Sequence, residues 1–338
     1  MTGSLHMGHA LNNTIQDLLI RYKRNKGYET LWQPGTDHAG IATQIIVEKQ
    51  LALKGQSKHL LGRKKFINEI WKWKKKSGNE ISSQLKKLGS SCDWSRERFT
   101  MDDGLSKAVT KVFVDLYKKK LIYKDLKLVN WDPVLQTAVS DLEVVQKDMQ
   151  GKLYFIKYKI KETDSYVSIA TTRPETMFGD AALAVNPKDE RYKNIVGKTA
   201  IIPILKKEIK IIRDIYADPE QGSGVVKITP AHDFNDFLVG ERNKLEKINI
   251  FTKNAKLNEN VPDEYIGLDR FDARKKIIEE LTNNNLLDKI DEINHAVPFG
   301  DRSNSVIEPY LTEQWFLNAK KLSKEAIKKV KNKETSFF

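Results

Sequence analysis

The apolar positions of the first 148 residues recur mainly at helical spacing. Leu11, Ile15, Leu18, Leu19 and Tyr22 fall on one stripe, which predicts an amphipathic helix with a core-facing side. Further helices are expected from Ile41 onward, over about 62–88 with Phe66, Ile70 and Trp73 on one side, and over 105–117. "YETLWQPG" (28–35) reads as a strand ending in a Pro-Gly turn. Short strands alternating with helices predict a doubly wound α/β domain, in which ligands gather at loops after the strand ends. "GSLHMGH" and "PGTDHAG" are such loops.

Near residue 150 the period changes to two. In "KLYFIKYKI" (152–160), Tyr154, Ile156, Tyr158 and Ile160 alternate with Lys157 and Lys159. "YVSIATT", "TAIIPIL", "EIKIIRD" and "GVVKIT" follow with turn residues between them, predicting a β-rich insert. Residues 270–287 return to helical spacing, and "EPYLTEQWFL" (308–317) is expected to rejoin the first domain.

At 338 residues the chain is long enough for two domains. Six Trp, eleven Tyr and thirteen Phe exclude a disordered chain, and no apolar run approaches the roughly 20 residues of a membrane span. The lone cysteine, Cys92, excludes an internal disulfide and a Cys-rich zinc cluster and fits a reducing compartment. No signal-peptide pattern opens the sequence, so the cytoplasm is expected. A net charge of +13 points to a polyanionic partner, although "KWKKK" (72–76) and "YKKK" (117–120) suit solvated helix faces equally well.

The first loop brings His6 and His9 to the electropositive mouth of a helix, where Gly3 and Gly8 let an anion approach the backbone. Phosphate suits this arrangement, and so does a plain capped helix. Two histidines at this spacing, without a nearby Cys or a His-Glu-x-x-His run, make a poor zinc site. In the second loop Asp37 can pair with a substrate ammonium or close an Asx turn. In "GVVKITPAHDFND" the strand period puts Lys227 and Thr229 on one face, with Val226 and Ile228 on the other. Asp233 and Asp236 follow, three apart where a helix begins and hence side by side, with capping a further role for Asp233. A wall of Lys, Thr and Asp makes a polar pocket.

"TGSLHMGHALN", "GTDHAGIATQ" (35–44), "LGSSCDWSRERFTMD" (88–102), "LVNWDPVLQTAVSDLEV" (128–144), "TTRPETMFGD" (171–180), "GSGVVKITPAHDFND" (222–236) and "IEPYLTEQWF" (307–316) occur in that order. Together they resemble the motifs of the class I aminoacyl-tRNA synthetases, and within that class the valine enzymes most closely. The resemblance implies a Rossmann-like doubly wound nucleotide-binding domain, here incomplete, with an inserted β-rich editing domain. Residues 1–148 would be the amino-terminal half of the catalytic domain, 149–290 the editing domain and 291–338 a truncated return to the first.

The resemblance also implies ATP, carried with Mg2+, together with valine and tRNA(Val), and threonine as the edited amino acid. A monomer is expected at full length, with no zinc and no membrane. Gly3, His6, Gly8 and His9 would hold ATP, the histidines stabilising charge on its phosphates as the valine carboxylate attacks the α-phosphate. Asp37 would bind the ammonium of valine. Asp236 would take the ammonium of a misloaded amino acid, while Arg173, Thr176, Lys227, Thr229 and Asp233 shape the editing site around its hydroxyl and the terminal adenosine. Such a site is needed because a hydrophobic pocket does not strongly reject an isostere that adds a hydroxyl. Water attacks an aminoacyl ester without a protein nucleophile, so no Ser-His-Asp triad is required.

The family's Pro-rich strand before "MTGSL" and its Lys-Met-Ser-Lys-Ser loop are not in the sequence, so a fragment is expected. "GSG" (222–224) stands where Gly-Thr-Gly is usual, and "PFGDRSNSV" (298–306) lacks the cysteines of many relatives. The isoleucine and leucine enzymes are a second reading, disfavoured by "GTDHAGIATQ". A free-standing hydrolase or tRNA-binding module is a third.

Overall fold

The computed structural model describes residues 5–337, the side chain of Asn79 excepted. Two compact units are present: the described residues up to Tyr123 together with those from Leu317 onward, and Lys124–Phe316. The mixed α/β class expected from the sequence is what these units contain.

In the first unit run α1 (Met7–Asn25), β1 (Gly35–Thr36), α2 (Gly40–Ala52), α3 (Lys58–Lys87), β2 (Arg98–Phe99), α4 (Asp103–Lys118) and a C-terminal helix, Ala319–Lys331. Ser57 and Asp102 start α3 and α4 by accepting the amides of Leu60 and Leu105 at 3.2 and 2.8 Å, meeting donors the helix itself leaves unpaired. A small core joins Val47 and Leu51 of α2 to Phe66 of α3, with Ile70 and Trp73 against it. Gly62 has a φ of 74°, a left-handed value that favours glycine, so α3 starts before the expected 62 and kinks there.

Two expectations fail in this unit. Segment 28–35 is not a strand: only Gly35 and Thr36 pair, in parallel, with Arg98 and Phe99. The carbonyls of Trp32 and Pro34 accept the amides of Asp93 and Arg98 at 2.9 and 3.1 Å, but Pro34 has no N–H to give back. The stripe on α1 is not core-facing either, since Leu11, Ile15, Leu18, Leu19 and Tyr22 are all at least 50% exposed. Polar side chains hold α1 instead. Arg21 and Arg24 donate to the carbonyls of Gly89 and Ser91 at 2.7 and 3.2 Å, and Asp17 accepts the amide of Ser91 at 2.9 Å.

The second unit takes in β3 (Ile122–Asp132, beginning just before it), β4 (Thr137–Ala138), β5 (Val144–Ile160), β6 (Tyr166–Thr171), β7 (Ala182–Val185), β8 (Thr199–Ile201), β9 (Glu208–Arg213) and β10 (Val225–Ile228). Helices α5 (Phe234–Asn243) and α6 (Arg270–Asn283) precede β11 (Leu287–Gly300) and β12 (Glu308–Leu317). A seven-stranded sheet has the order β10-β7-β9-β8-β5-β11, with β6 also on β5; β7 and β9 are parallel and the other pairs antiparallel. A second sheet joins β12, β3 and β4.

The alternation read at 152–160 is present. Ile156, Tyr158 and Ile160 are buried while Lys159 is exposed, because successive side chains on a strand point to opposite faces. Helix α6 adds Ala273, Ile277 and Leu281, four residues apart and so on one side, to the same core. It ends at Asn283 rather than 287, since Leu287 already pairs with Ile156 in β11. The ladder between β5 and β11 runs out to Val144 and Gly300, and the compact unit therefore extends past 149–290 on both sides. No helix among the described residues is long and apolar enough to cross a membrane.

Candidate functional site

Strand β10 and the turn beside it build a buried polar cluster in the second unit. Lys227, on β10, donates from Nζ to Thr176 Oγ1 at 2.8 Å, Asp180 Oδ1 at 3.0 Å and Thr229 Oγ1 at 2.5 Å. Thr176 lies in the 3-10 turn Pro174–Gly179, and Asp180 follows it. The Thr229 hydroxyl donates to Asp180 Oδ1 at 2.6 Å, and its amide donates to Asp236 Oδ2 at 2.8 Å. Asp180 is fully buried and accepts a third bond on Oδ2 from the Tyr158 hydroxyl at 2.8 Å. Gly179 allows the approach: a Cβ there would stand 3.0 Å from the Ile248 carbonyl and 3.2 Å from Thr229 Cγ2.

Asp233 starts α5, accepting the amides of Asn235 and Asp236 on Oδ1 at 2.8 and 3.0 Å. One turn on, the Asp236 side chain points into the buried cluster. Burial, reinforced by the charge of Asp233, pushes the Asp236 carboxyl up to about 7, against the pull of Lys227. Asp236 Oδ1 accepts no hydrogen bond among the described residues.

Arg173 is held by a second buried network. Its Nε donates to Glu175 at 3.3 Å, its Nη1 to the His232 carbonyl at 3.2 Å and its Nη2 to Glu308 at 2.5 Å. Arg274 and Arg270 flank the same acids, at 2.8 Å from Glu175 and 2.6 Å from Glu308. Burial works against the Arg173 charge, but Glu308 and then Glu175 outweigh it and keep the guanidinium protonated. His232 is buried with Nε2 accepting the Ile250 amide at 3.0 Å, so its proton sits on Nδ1, which has no partner among the described residues. Burial, then Arg173 and Lys227, hold this imidazole neutral, well below the usual histidine range. A cleft of about 960 Å³ opens against Arg173, Asp233, Phe234 and Arg274.

The structure thus joins Thr176, Lys227, Thr229 and Asp236 directly, ties Arg173 in through its carbonyl, which accepts from Thr176 Oγ1 at 2.9 Å, and sets Asp233 at the rim. Asp180, Tyr158, Glu175, Glu308 and His232 were not singled out from sequence. Glu175 and Asp180 sat inside "TTRPETMFGD" and could have been found as acids within an otherwise buried motif.

In the first unit His6 is the N-cap of α1, its Nδ1 accepting the Gly8 amide at 3.1 Å, and His9 Nδ1 accepts the His6 amide at 3.3 Å. The two rings lie 3.9 Å apart. A Cβ at Gly8 would meet His6 Cε1 at 3.0 Å, so glycine keeps the cap compact. Asp37 Oδ1 accepts the Ala39 amide at 2.5 Å, the Asx turn anticipated from Pro-Gly-Thr, with its side chain exposed. Gly3 lies outside the described residues. A separate cavity of about 590 Å³ is lined by His38, Lys58, His59, Arg63 and Trp71. Among the described residues no three His, Cys, Asp or Glu side chains are grouped to hold a metal.

The family model for tRNA synthetases class I (I, L, M and V) matches residues 1–338. A valine--tRNA ligase of Pelagibacter ubique (strain HTCC1062) is 64% identical over all of this chain and 39% of its own length. Those of Caulobacter vibrioides and Pseudothermotoga lettingae are 54% and 56% identical over all of this chain and 40% and 39% of theirs. The chain therefore spans about two fifths of the length of the curated relatives it matches. Among solved structures, the LeuRS-tRNA-LeuAMS ternary complex of Agrobacterium radiobacter K84 aligns at a TM-score of 0.35 and 20% identity, over 87% of this chain and 43% of that one. With the model matched from end to end, the chain belongs to the class I tRNA synthetases of the I, L, M and V group.

Proposed function

We propose that this chain carries the amino-terminal part of the synthetic site of a valine–tRNA ligase, together with a hydrolytic site that removes threonine from tRNA(Val). In synthesis, the carboxylate of valine attacks the α-phosphate of ATP, which arrives with Mg2+, and pyrophosphate leaves. His6 and His9 then act as positioned donors to phosphoryl oxygens, Gly8 and Gly3 admit the nucleotide, and Asp37 pairs with the ammonium of valine. The setting is the cytoplasm and the full-length protein a monomer.

In hydrolysis the misloaded threonine brings an ammonium and a hydroxyl. Asp236 Oδ1 takes the ammonium, Thr176, Lys227 and Thr229 form the wall that meets the hydroxyl, and Arg173 with Asp233 line the approach of the terminal adenosine. Water adds to the ester carbonyl, the tRNA hydroxyl leaves with a proton, and free threonine is released. The valyl ester lacks the hydroxyl and would leave buried polar groups unpaired, which opposes its binding. Residues 149–290, within the second compact unit, would form this domain. The observation that carries the reading is the closed set of bonds joining Lys227, Thr176, Thr229 and Asp236, tied through the Arg173 carbonyl to a cleft that Arg173 and Asp233 line.

The test is deacylation of threonyl-tRNA(Val) and valyl-tRNA(Val) by the chain and by its Asp236→Ala variant, with tRNA in excess. The threonyl ester should be hydrolysed preferentially, Asp236→Ala should lose most of that activity, and binding should weaken with added salt as phosphate contacts release counterions. Equal hydrolysis of both esters, or a fully active Asp236→Ala, would replace this reading with a plain RNA-binding role.

A further inference from the structure

Lys227 has three ammonium protons, and all three are engaged, on Thr176, Asp180 and Thr229. The single hydroxyl proton of Thr229 is directed to Asp180, and that of Thr176 to the Arg173 carbonyl. Each threonine oxygen has two lone pairs, one of which takes a proton from Lys227, so each keeps one open. Asp180 is fully buried, and the Tyr158 hydroxyl fixes its second oxygen.

We infer that Asp180 is a positioning residue of the hydrolytic site: by holding the Thr229 proton and one Lys227 proton, it makes the wall an array of acceptors only. Such a wall receives an O–H from a ligand and offers nothing to a methyl group or to a bare carbonyl oxygen. Discrimination then comes from the direction of the hydrogen bonds as well as from polarity. Loss of Asp180 would free the Thr229 hydroxyl to rotate and donate, and would give Lys227 a proton to present, so the wall would lose its bias. The inference rests on the proofreading reading above.

The experiment compares the ratio of threonyl to valyl ester hydrolysis, and kcat and KM for the threonyl ester, in the full chain and in four variants. In Asp180→Ala the ratio should fall by about tenfold or more, with KM rising, because the open hydroxyl no longer favours a donor. Asp180→Asn should retain most of the ratio, since its amide oxygen can still accept both protons while the amide nitrogen turns to Tyr158. Tyr158→Phe keeps the ring and removes only the anchor of Asp180, so it should give an intermediate loss and decides the matter if Asp180→Ala does not fold. A purely structural role would slow both esters alike. An unchanged ratio in Tyr158→Phe and in any folded Asp180→Ala, while Asp236→Ala abolishes hydrolysis, overturns the role of Asp180 alone. No threonyl preference in the parent overturns the proofreading reading, and this inference with it.

Discussion

Asp233 and Asp236 stand one helical turn apart and face different ways: Asp233 accepts the Asp236 amide at 3.0 Å, while the Asp236 carboxylate turns inward to the Thr229 amide at 2.8 Å. One acid serves the helix, and the other is left in the cluster with a free oxygen.

That placement gives Asp236 a pH signature. Between its ordinary 3.8 and about 7, the folded chain keeps a proton there that the unfolded chain has lost. The contribution of this group to stability therefore falls as pH rises through that window, by about 1.4 kcal/mol per unit of displacement. His232 works in the opposite sense, because its lowered pKa costs stability as pH falls below the usual 6.5. Asp236→Asn should thus raise the thermal midpoint at about pH 8 more than at about pH 5. In the parent, threonyl-ester hydrolysis corrected for the uncatalysed rate should climb with pH and level off above about 7, because only the carboxylate pairs with an ammonium. A flat profile would contradict the assignment.

Arg173 shares two buried carboxylates with two other arginines, and its fork geometry lets one side chain reach Glu175, Glu308 and the His232 carbonyl together. Arg173→Ala should lower stability to urea by about 2 kcal/mol, since Glu175 and Glu308 keep Arg274 and Arg270 but each loses a charge-assisted bond, and the His232 carbonyl loses its donor. Arg173→Lys should recover little of this, because a point-like ammonium cannot span the three acceptors. Recovery to the parental midpoint would show that charge alone suffices.

Gly179→Ala places a methyl 3.0 Å from the Ile248 carbonyl, 3.2 Å from Thr229 Cγ2 and 3.3 Å from His232 Cδ2. Overpacking of this kind costs about 1 to 3 kcal/mol. Because Thr229 is one of the neighbours that must yield, threonyl-ester hydrolysis should fall at temperatures where the variant remains folded. A stability loss with undiminished hydrolysis would place Thr229 outside the reacting geometry.

His6 caps α1 through Nδ1, so capping and catalysis can be separated by the choice of substitution. Asparagine is a good N-cap, whereas alanine costs about 1 kcal/mol at such a position. In a full-length enzyme carrying these residues, His6→Asn should leave stability close to parental. It should slow valine-dependent ATP–pyrophosphate exchange by an amount equivalent to about 3 kcal/mol, the usual loss for one donor to a developing anion. Unchanged exchange would leave His6 with capping alone.

What could be read in the sequence was periodicity and local chemistry. The strand period placed Lys227 and Thr229 together before any contact was known, and the cap at Asp233 follows from its position before a helix. Hydrophobic spacing on α1 told which residues share a face, but not that Arg21 and Arg24 would anchor the helix by its polar side. Pro34 marked a turn, yet its missing N–H also removed the strand leading into it. Arg173 and Glu308 are 135 residues apart, and no local pattern announces a pair made by tertiary folding. Asp180 was visible only as a letter in a motif, because its meaning lies in which protons it receives.

The apolar core is shared out unevenly along this chain. Helices α1, α4 and the C-terminal helix bury no residue, whereas β5, α6 and their neighbours enclose Tyr158, Tyr265, Phe178 and many aliphatic side chains. Amide protons of the three helices therefore exchange with solvent through local fraying, while those at the buried end of β5, from Phe155 to Ile160, wait for cooperative opening of the second unit. A mild denaturant would erase the histidine-capped turn first and leave the Lys227 cluster assembled, so the two chemistries carried by one polypeptide have separate lifetimes.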